Sequence, residues 1–512
     1  MTQRQHTVTA LVLALAGLLL IRLGGLEIQP WDEGLYAIRG QASVVFDEWI
    51  DPTPYTAGGL YSSTPPPMTS WLVGSSIKLF GPTEFAVRLP IVLCAAGVLA
   101  LFVGIVRRYA DMSTALMCAV ALAGSLPFMV YARSAMSEVP LVLFILLALE
   151  AALQMTERKG AWAPYMLFAT AFGGALLTKM AISFLPVLFL VPCLWQDVRN
   201  PRTVVAIVGT VLAGLALAAP WYWYMIGTYG DQFLLALTVP QATQIVEGNS
   251  SPLGPLYYVN SLLSGQPLTI VAFLVVALAI PLRKQIQQYM HPAVMFVLSW
   301  FVLAVPVFSL APTKNPHYSV LLIVPAIGVA AWALEMFRRV SARWLVQSYG
   351  LMAAATVWSV VPSLRASVKQ DPFDPQSMAV MLLMILCMAV PMLLSESKRQ
   401  RWAVHGWRPA VWGTVVISLV ASTATVQLGR KESQLGGKVI ASRLLDIEPR
   451  TFTYMFHARN AGDAFAPQLA WYMTGRMTGW LPGYDYIPEA LPEFSSSQRV
   501  QAVSLLGRTA YV

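Results

Sequence analysis

Four short stretches carry side chains that could do chemistry in a chain otherwise poor in charge. "WDEGLYAIRG", residues 31–40, places two adjacent carboxylates, Asp32 and Glu33, among aromatics. "YARSAMSEVP" holds Arg133 and Glu138, "LLTKMAISF" holds Lys179, and "APTKNPHYSV" holds Lys314, His317 and Tyr318. A carboxylate can deprotonate a hydroxyl nucleophile, and cations with a tyrosine hydroxyl can hold a phosphate. The set therefore has the parts of a glycosyl- or phosphoryl-transfer site. At a membrane edge the natural phosphate is a lipid head group.

Each residue also has a plainer use. Asp32 and Glu33 could cap a helix N-terminus, and Glu138 could form a structural bridge with Arg133. Lys179 could snorkel from a helix end. His317 reads more readily as a hydrogen-bonded interface histidine than as a metal ligand. Asp32, Glu33 and Glu138 could share a divalent cation, although carboxylates alone do not establish a metal.

The elements that must position these groups are membrane helices. Of 512 residues, 57% are hydrophobic and only 12% charged, against about 25% charged in soluble domains. Apolar runs recur near the ~20-residue spanning length. Thirteen spans are predicted, at 7–25, 86–106, 112–131, 138–155, 161–178, 180–195, 203–223, 260–281, 293–311, 319–336, 345–363, 377–394 and 409–427. The fifth and sixth are split at Lys179, because one helix over both would overshoot the bilayer. The first run lacks a small-x-small cleavage site and reads as an uncleaved helix. Cys94, Cys118, Cys193 and Cys387 all fall in apolar runs and read as small buried hydrophobes.

Charge sets the orientation. With a cytoplasmic N-terminus, the inner loops carry Arg107/Arg108, Arg158/Lys159, Arg199/Arg202, Arg283/Lys284, Arg338/Arg339/Arg343 and Lys398/Arg399/Arg401/Arg408. Every such loop is basic, as the positive-inside rule requires. The net charge of +9 thus reflects membrane orientation and calls for no nucleic-acid partner. The candidate site residues all fall at the opposite, outer face. There, residues 26–85 include amphipathic pieces suited to the interface, 224–259 form a second long loop, and 428–512 read as a small soluble α/β domain. In that domain "TFTYMF" suggests a strand and "DAFAPQLAWYMTG" an Asp-capped helix.

The motifs "WDEGLYA", "YSSTPPPMTSWL", "YARSAMSEVPLVLF", "ALLTKMAISFLP" and "APTKNPHYSVLLIVPA" occur in an order and spacing that resemble the polyprenyl-phosphate-dependent GT-C glycosyltransferases. Bacterial aminoarabinose transferase and the protein O-mannosyltransferases typify that group. The resemblance covers roughly residues 5–340, and "TYMFHARN…FAPQLAWYMTGR" looks like the group's outer domain. It implies a mainly α, polytopic GT-C fold over residues 1–427 in a bacterial inner membrane. It also implies inverting transfer from an undecaprenyl-phosphate-linked sugar to a lipid, glycan or protein acceptor, as in lipid A modification or protein glycosylation.

Carried onto matching positions, the resemblance makes Asp32 the general base or acceptor-orienting acid, with Glu33 beside it and Glu138 assisting. Tyr36, Tyr61, Lys179, Lys314 and Tyr318 match positions around the donor phosphate, and Arg133 joins them as a further cation. Two departures stand out: Thr64 replaces a Lys common in relatives, and residues 238–252 contain no basic residue. Two rival readings follow, a lipid-linked sugar transporter or flippase, and an inactive relative that only binds lipid phosphate. Transporters usually show repeats and polar helix centres, whereas the predicted helix centres here are nearly uncharged.

Overall fold

The computed structural model describes residues 3–29, 32–53, 65–180, 182–194, 199–237, 254–311, 314–360, 375–428 and 471–472. Among these residues the chain is helical and contains no strand. The N-terminal part comprises α1 (Gln3–Leu20), α2 (Asp32–Val45), α3 (Met68–Phe80), α4 (Glu84–Val106), α5 (Met112–Ala123), α6 (Leu126–Tyr131), α7 (Glu138–Glu157) and α8 (Ala163–Leu176). The middle holds α9 (Leu185–Cys193), α10 (Pro201–Tyr229), α11 (Tyr257–Gly265), α12 (Ile270–Ala277), α13 (Arg283–Gln288) and α14 (Pro292–Leu310). The last part holds α15 (Ser319–Val340), α16 (Ala342–Val360), α17 (Pro375–Leu393), α18 (Glu396–Arg401) and α19 (Trp407–Leu428).

Each of the thirteen apolar segments expected from the sequence coincides with helix, although several are broken. The third is split between α5 and α6, and the eighth between α11 and α12. Among the described residues, six helices are long and apolar enough to cross a membrane: Glu84–Val106, Glu138–Glu157, Pro201–Tyr229, Pro292–Leu310, Pro316–Val340 and Glu396–Val426. The expected α/β domain lies almost wholly outside the described residues.

Local chemistry marks the helix starts. Thr83 caps α4 by accepting from the Ala86 amide at 3.1 Å, and Asp111 caps α5 by accepting from Thr114 at 2.9 Å. Asn200 and His291 cap α10 and α14, each followed by a proline at the first helical position, where its missing N–H costs nothing. Helix α15 is apolar all round and is buried from Ser319 to Phe337, so it forms the centre of the bundle. Helices α14, α16, α12 and α5 pack around it, and α4, α7, α8 and α10 form a continuous row beside it. The outer faces remain apolar, with Val205 and Trp223 of α10 exposed at 71% and 81%, as lipid contact requires. Cys94 and Cys118 are buried and Cys387 half-buried, all three as free thiols.

The first loop is held down at several points. Helices α2 and α3 pack closely because Gly40 leaves room: a Cβ there would sit 2.6 Å from Val73. The Met68 amide donates to the Leu177 carbonyl at 2.9 Å, which brings the start of α3 to the segment preceding Lys179. Trp221 of α10 donates to the Ile50 carbonyl at 3.0 Å, and Tyr229 donates to Asp51 at 2.6 Å. These ties place α2, whose first residue is Asp32, over one end of the bundle.

Candidate active site

Asp32 opens α2 with its side chain about half exposed, whereas Glu33, the next residue, is buried. The two acids have different surroundings. Glu33 takes both guanidinium arms of Arg88, Nε and Nη2, at 2.8 Å each, and also accepts from the Ala135 and Gln29 amides at 3.0 and 2.7 Å. Arg88 spends its remaining donors on the Leu23, Leu26 and Glu27 carbonyls. Burial alone would raise the Glu33 pKa; Arg88's charge and hydrogen bonds, with those from Gln29 and Ala135, outweigh it and hold the carboxyl below its ordinary range. The side chain thus ties α2 to α4 and to the α6–α7 connection.

Asp32 faces a second cluster. His317 stands with Nδ1 3.9 Å from Asp32 Oδ2 and Nε2 3.6 Å from Glu138 Oε1, bridging acids that come from α2 and α7. Glu138 is buried and pairs with Lys179 at 2.5 Å. The Lys179 ammonium also lies 4.6 Å from the centre of the Tyr318 ring, within cation–π range. Tyr36, one helical turn after Asp32, is buried where it feels the charges of Lys179, Glu138 and Asp32; burial is the main cause that raises its phenol pKa. Six residues singled out from the sequence, Asp32, Tyr36, Glu138, Lys179, His317 and Tyr318, therefore share one neighbourhood.

Other expected site residues lie elsewhere. The bridge between Glu138 and Arg133 does not form: Lys179 takes the acid, and Arg133 donates to the Leu19 carbonyl. Lys314 is buried, and its ammonium donates to the Phe308, Ser309 and Ala311 carbonyls at the end of α14. An ammonium has three N–H donors, so Lys314 as placed is a helix cap with none left for a phosphate. Lys179 spends one donor on Glu138 and is 25% exposed, which leaves it able to meet a ligand. Tyr61 and Thr64 lie outside the described residues, as do residues 238–252. Among the described residues no three His, Cys, Asp or Glu side chains group as metal ligands would, and Asp32, Glu33 and Glu138 do not gather around a common point.

Sequence reasoning missed Arg88. The signal was present, since a lone arginine inside the run "EFAVRLPIVLC" is a charge at membrane depth that must find a partner.

A family model described as dolichyl-phosphate-mannose-protein mannosyltransferase matches residues 64–224. The undecaprenyl phosphate-alpha-4-amino-4-deoxy-L-arabinose arabinosyl transferase of Serratia proteamaculans is 24% identical over 413 residues, 78% of this chain and 67% of that protein. The enzyme of the same description from Pseudomonas aeruginosa is 24% identical over 432 residues, covering 81% and 76%. Among solved structures, ArnT from Cupriavidus metallidurans in the apo state superposes with a TM-score of 0.64 at 21% identity, covering 92% of this chain and 85% of that one. In sequence and in fold the chain is similar to the polyprenyl-phosphate-dependent GT-C glycosyltransferases. The arabinosyltransferase EmbB from Mycobacterium smegmatis shares the fold of this glycosyltransferase at a TM-score of 0.56 and 15% identity, over 86% of this chain and 43% of EmbB. In the glycosyltransferase fold, then, the Asp32 cluster lies where α2, α7, the Lys179 segment and the start of α15 meet.

Proposed function

We propose that the enzyme moves a sugar from undecaprenyl phosphate to an acceptor hydroxyl or phosphate at the outer face of the cytoplasmic membrane, with Asp32 as the base. One observation carries the reading. Asp32 is the open carboxylate of the cluster, while Glu33 and Glu138 are buried and each committed to a cation. A base must reach the proton it takes, and of these three only Asp32 is exposed to an incoming acceptor.

The reaction then runs as a single inversion. The acceptor oxygen attacks the anomeric carbon from the face opposite the lipid phosphate, and Asp32 takes the acceptor's proton. The bond from the anomeric carbon to the phosphate oxygen breaks, and its electron pair leaves with undecaprenyl phosphate. Lys179, with Tyr36 and Tyr318 beside it, faces the charge that gathers on that phosphate. Glu138 fixes Lys179, and His317 spans the gap between Glu138 and Asp32. Glu33 serves as an anchor, holding the first turn of α2 against Arg88 so that Asp32 projects outward.

The donor assignment is supported by the similarity to the undecaprenyl phosphate-alpha-4-amino-4-deoxy-L-arabinose arabinosyl transferases and by the likeness to Cupriavidus metallidurans ArnT bound to undecaprenyl phosphate, at a TM-score of 0.64 and 21% identity. The same reading takes all thirteen helical segments as crossings, with the basic loops and N-terminus cytoplasmic. It takes residues 428–512 as an outer domain. Trp471 and Tyr472 support that placement, because the Tyr472 hydroxyl accepts from the Ile28 amide at 2.8 Å and donates to Glu84 at 3.1 Å, beside the first outer loop.

The test is mass spectrometry of envelope lipids and glycans from cells with the parental protein, without it, and with Asp32→Asn. The expected result is a sugar-sized mass increment on one acceptor that only the parental protein supports. Equal product from the Asn variant at the parental rate would remove Asp32 from the chemistry.

A further inference from the structure

Four cations are buried among the described residues: Arg39, Arg88, Arg133 and Lys314. Arg88 has Glu33 and three carbonyls, Arg133 has the Leu19 carbonyl, and Lys314 has the end of α14. Arg39 differs from them. It is 0% exposed, and Nε, Nη1 and Nη2 all lack a hydrogen-bond partner. A guanidinium taken out of water without a partner is among the costliest groups a fold can hold.

Its position gives that cost a purpose. Asp32, Tyr36 and Arg39 recur at helical spacing on α2 and share one face, so Arg39 lies roughly 10 Å along the helix from Asp32. Its titratable neighbours are the Tyr36 phenol, neutral at this depth, and the Asp51 carboxylate. Asp51 is already engaged, accepting from the Thr53 amide at 3.1 Å and from Tyr229 at 2.6 Å. Burial lowers the Arg39 pKa to about 10, which leaves it protonated at neutral pH. Helix α3, packed against α2, adds two buried hydroxyls in its first turn, Thr69 and Ser70, which also lack partners. The Arg39 N–H groups are donors awaiting an acceptor, and a phosphoryl group offers several oxygens to a planar guanidinium fork.

We propose that Arg39 is an anion-binding residue of this enzyme, holding the phosphoryl group of a lipid substrate on the α2 face that carries Asp32. The identity of that lipid as the donor rests on the function proposed above; the anion site does not. The phosphoryl group belongs either to the polyprenyl donor or to a phosphorylated lipid acceptor, and the two sources separate by experiment.

The full-length protein is purified, and its melting temperature is followed against undecaprenyl phosphate, lipid A carrying its phosphates, and undecaprenol as the uncharged control. Arg39→Met keeps the bulk of the stem and removes the unpaired charge. The variant is expected to melt no lower than the parent without lipid, and to need at least tenfold more of the phosphorylated lipid for half-saturation, with undecaprenol unchanged. A parental response to undecaprenyl phosphate that Arg39→Met weakens assigns the residue to the donor. A weakened response to lipid A alone places it on the acceptor and overturns the donor reading while the anion site stands. Unchanged half-saturation in the variant overturns the role of Arg39. A parental protein that responds to neither lipid overturns both proposals. If the Met variant does not fold, Arg39→Gln takes its place under the same criteria; failure of both to fold marks Arg39 as structural and also overturns the proposal.

Discussion

The two ends of the bundle use charge in opposite ways. At the Arg108 end, Arg108 lies between Glu150 at 2.7 Å and Glu157 at 2.8 Å, Arg338 and Arg339 converge on Glu335, and Arg408 meets Asp111. The arginines there are 20–50% exposed, whether their partner is three residues away, as Glu335 is from Arg338, or 297, as Asp111 is from Arg408. Pairs of this kind are screened by water and contribute little each. At the Asp32 end, Glu33 and Arg88 are both 1% exposed and 55 positions apart, and Glu138 with Lys179 spans 41 positions. A buried pair must be complete, because a lone survivor keeps the full cost of desolvation. One end keeps its pairs where water screens them. The other needs a defined geometry, which serves a reaction.

That contrast can be broken experimentally, starting with the largest effect. Arg88→Met strands the Glu33 carboxylate and should cost about 3–5 kcal/mol, read as early loss of the monodisperse peak in heated size-exclusion runs. Adding Glu33→Leu should recover at least half of that loss; no recovery would mean that the damage comes from the three lost carbonyl contacts rather than the ion pair.

Lys179 and Lys314 sharpen the difference between a cation proposed to face substrate and one capping a helix. Lys179→Met should lower transfer roughly 100-fold, the scale of removing one charge-stabilising group. Lys314→Met should cost about 1 kcal/mol of stability, on the scale of a helix-end interaction, with transfer per folded molecule close to parental. Kinetics and melting of both variants decide the point, and a reversed pattern would exchange their roles.

Acid provides a third probe. Glu33 has its folded pKa below the ordinary 4.5, so its stabilisation is fully present above that value and is lost as pH falls through the folded value. Parental stability should therefore decline below about pH 4.5, and Glu33→Gln should flatten that decline in a pH-dependent melt. The smallest effect is expected at the opposite end: Arg108→Ala should cost under about 1 kcal/mol, with transfer unchanged.

Much of this architecture is written locally. Apolar runs of spanning length became helices, and the caps at Thr83, Asp111 and Asn200 stand where each helix begins. Asp32, Glu138, Lys179, His317 and Tyr318 were singled out because polar side chains beside apolar runs are conspicuous, and they gather in one place. The neighbours Asp32 and Glu33 looked equivalent in sequence and differ completely in surroundings. Lys314 looked like a phosphate ligand and became a cap, and Arg39 drew no attention on its helix.

Length, hydropathy and the sign of charge in each loop are properties of contiguous residues, so the sequence alone determined the helical segments and which end of the bundle is basic. Which acid receives which base is a different kind of fact. Glu33 meets Arg88, and Glu138 meets Lys179, only because α2, α4, α7 and the Lys179 segment pack side by side, and no periodicity along a single segment encodes that packing. The tertiary structure therefore decided which carboxylate stays open to a substrate and which cation stays unpaired, since burial and pairing depend on neighbours tens of positions away.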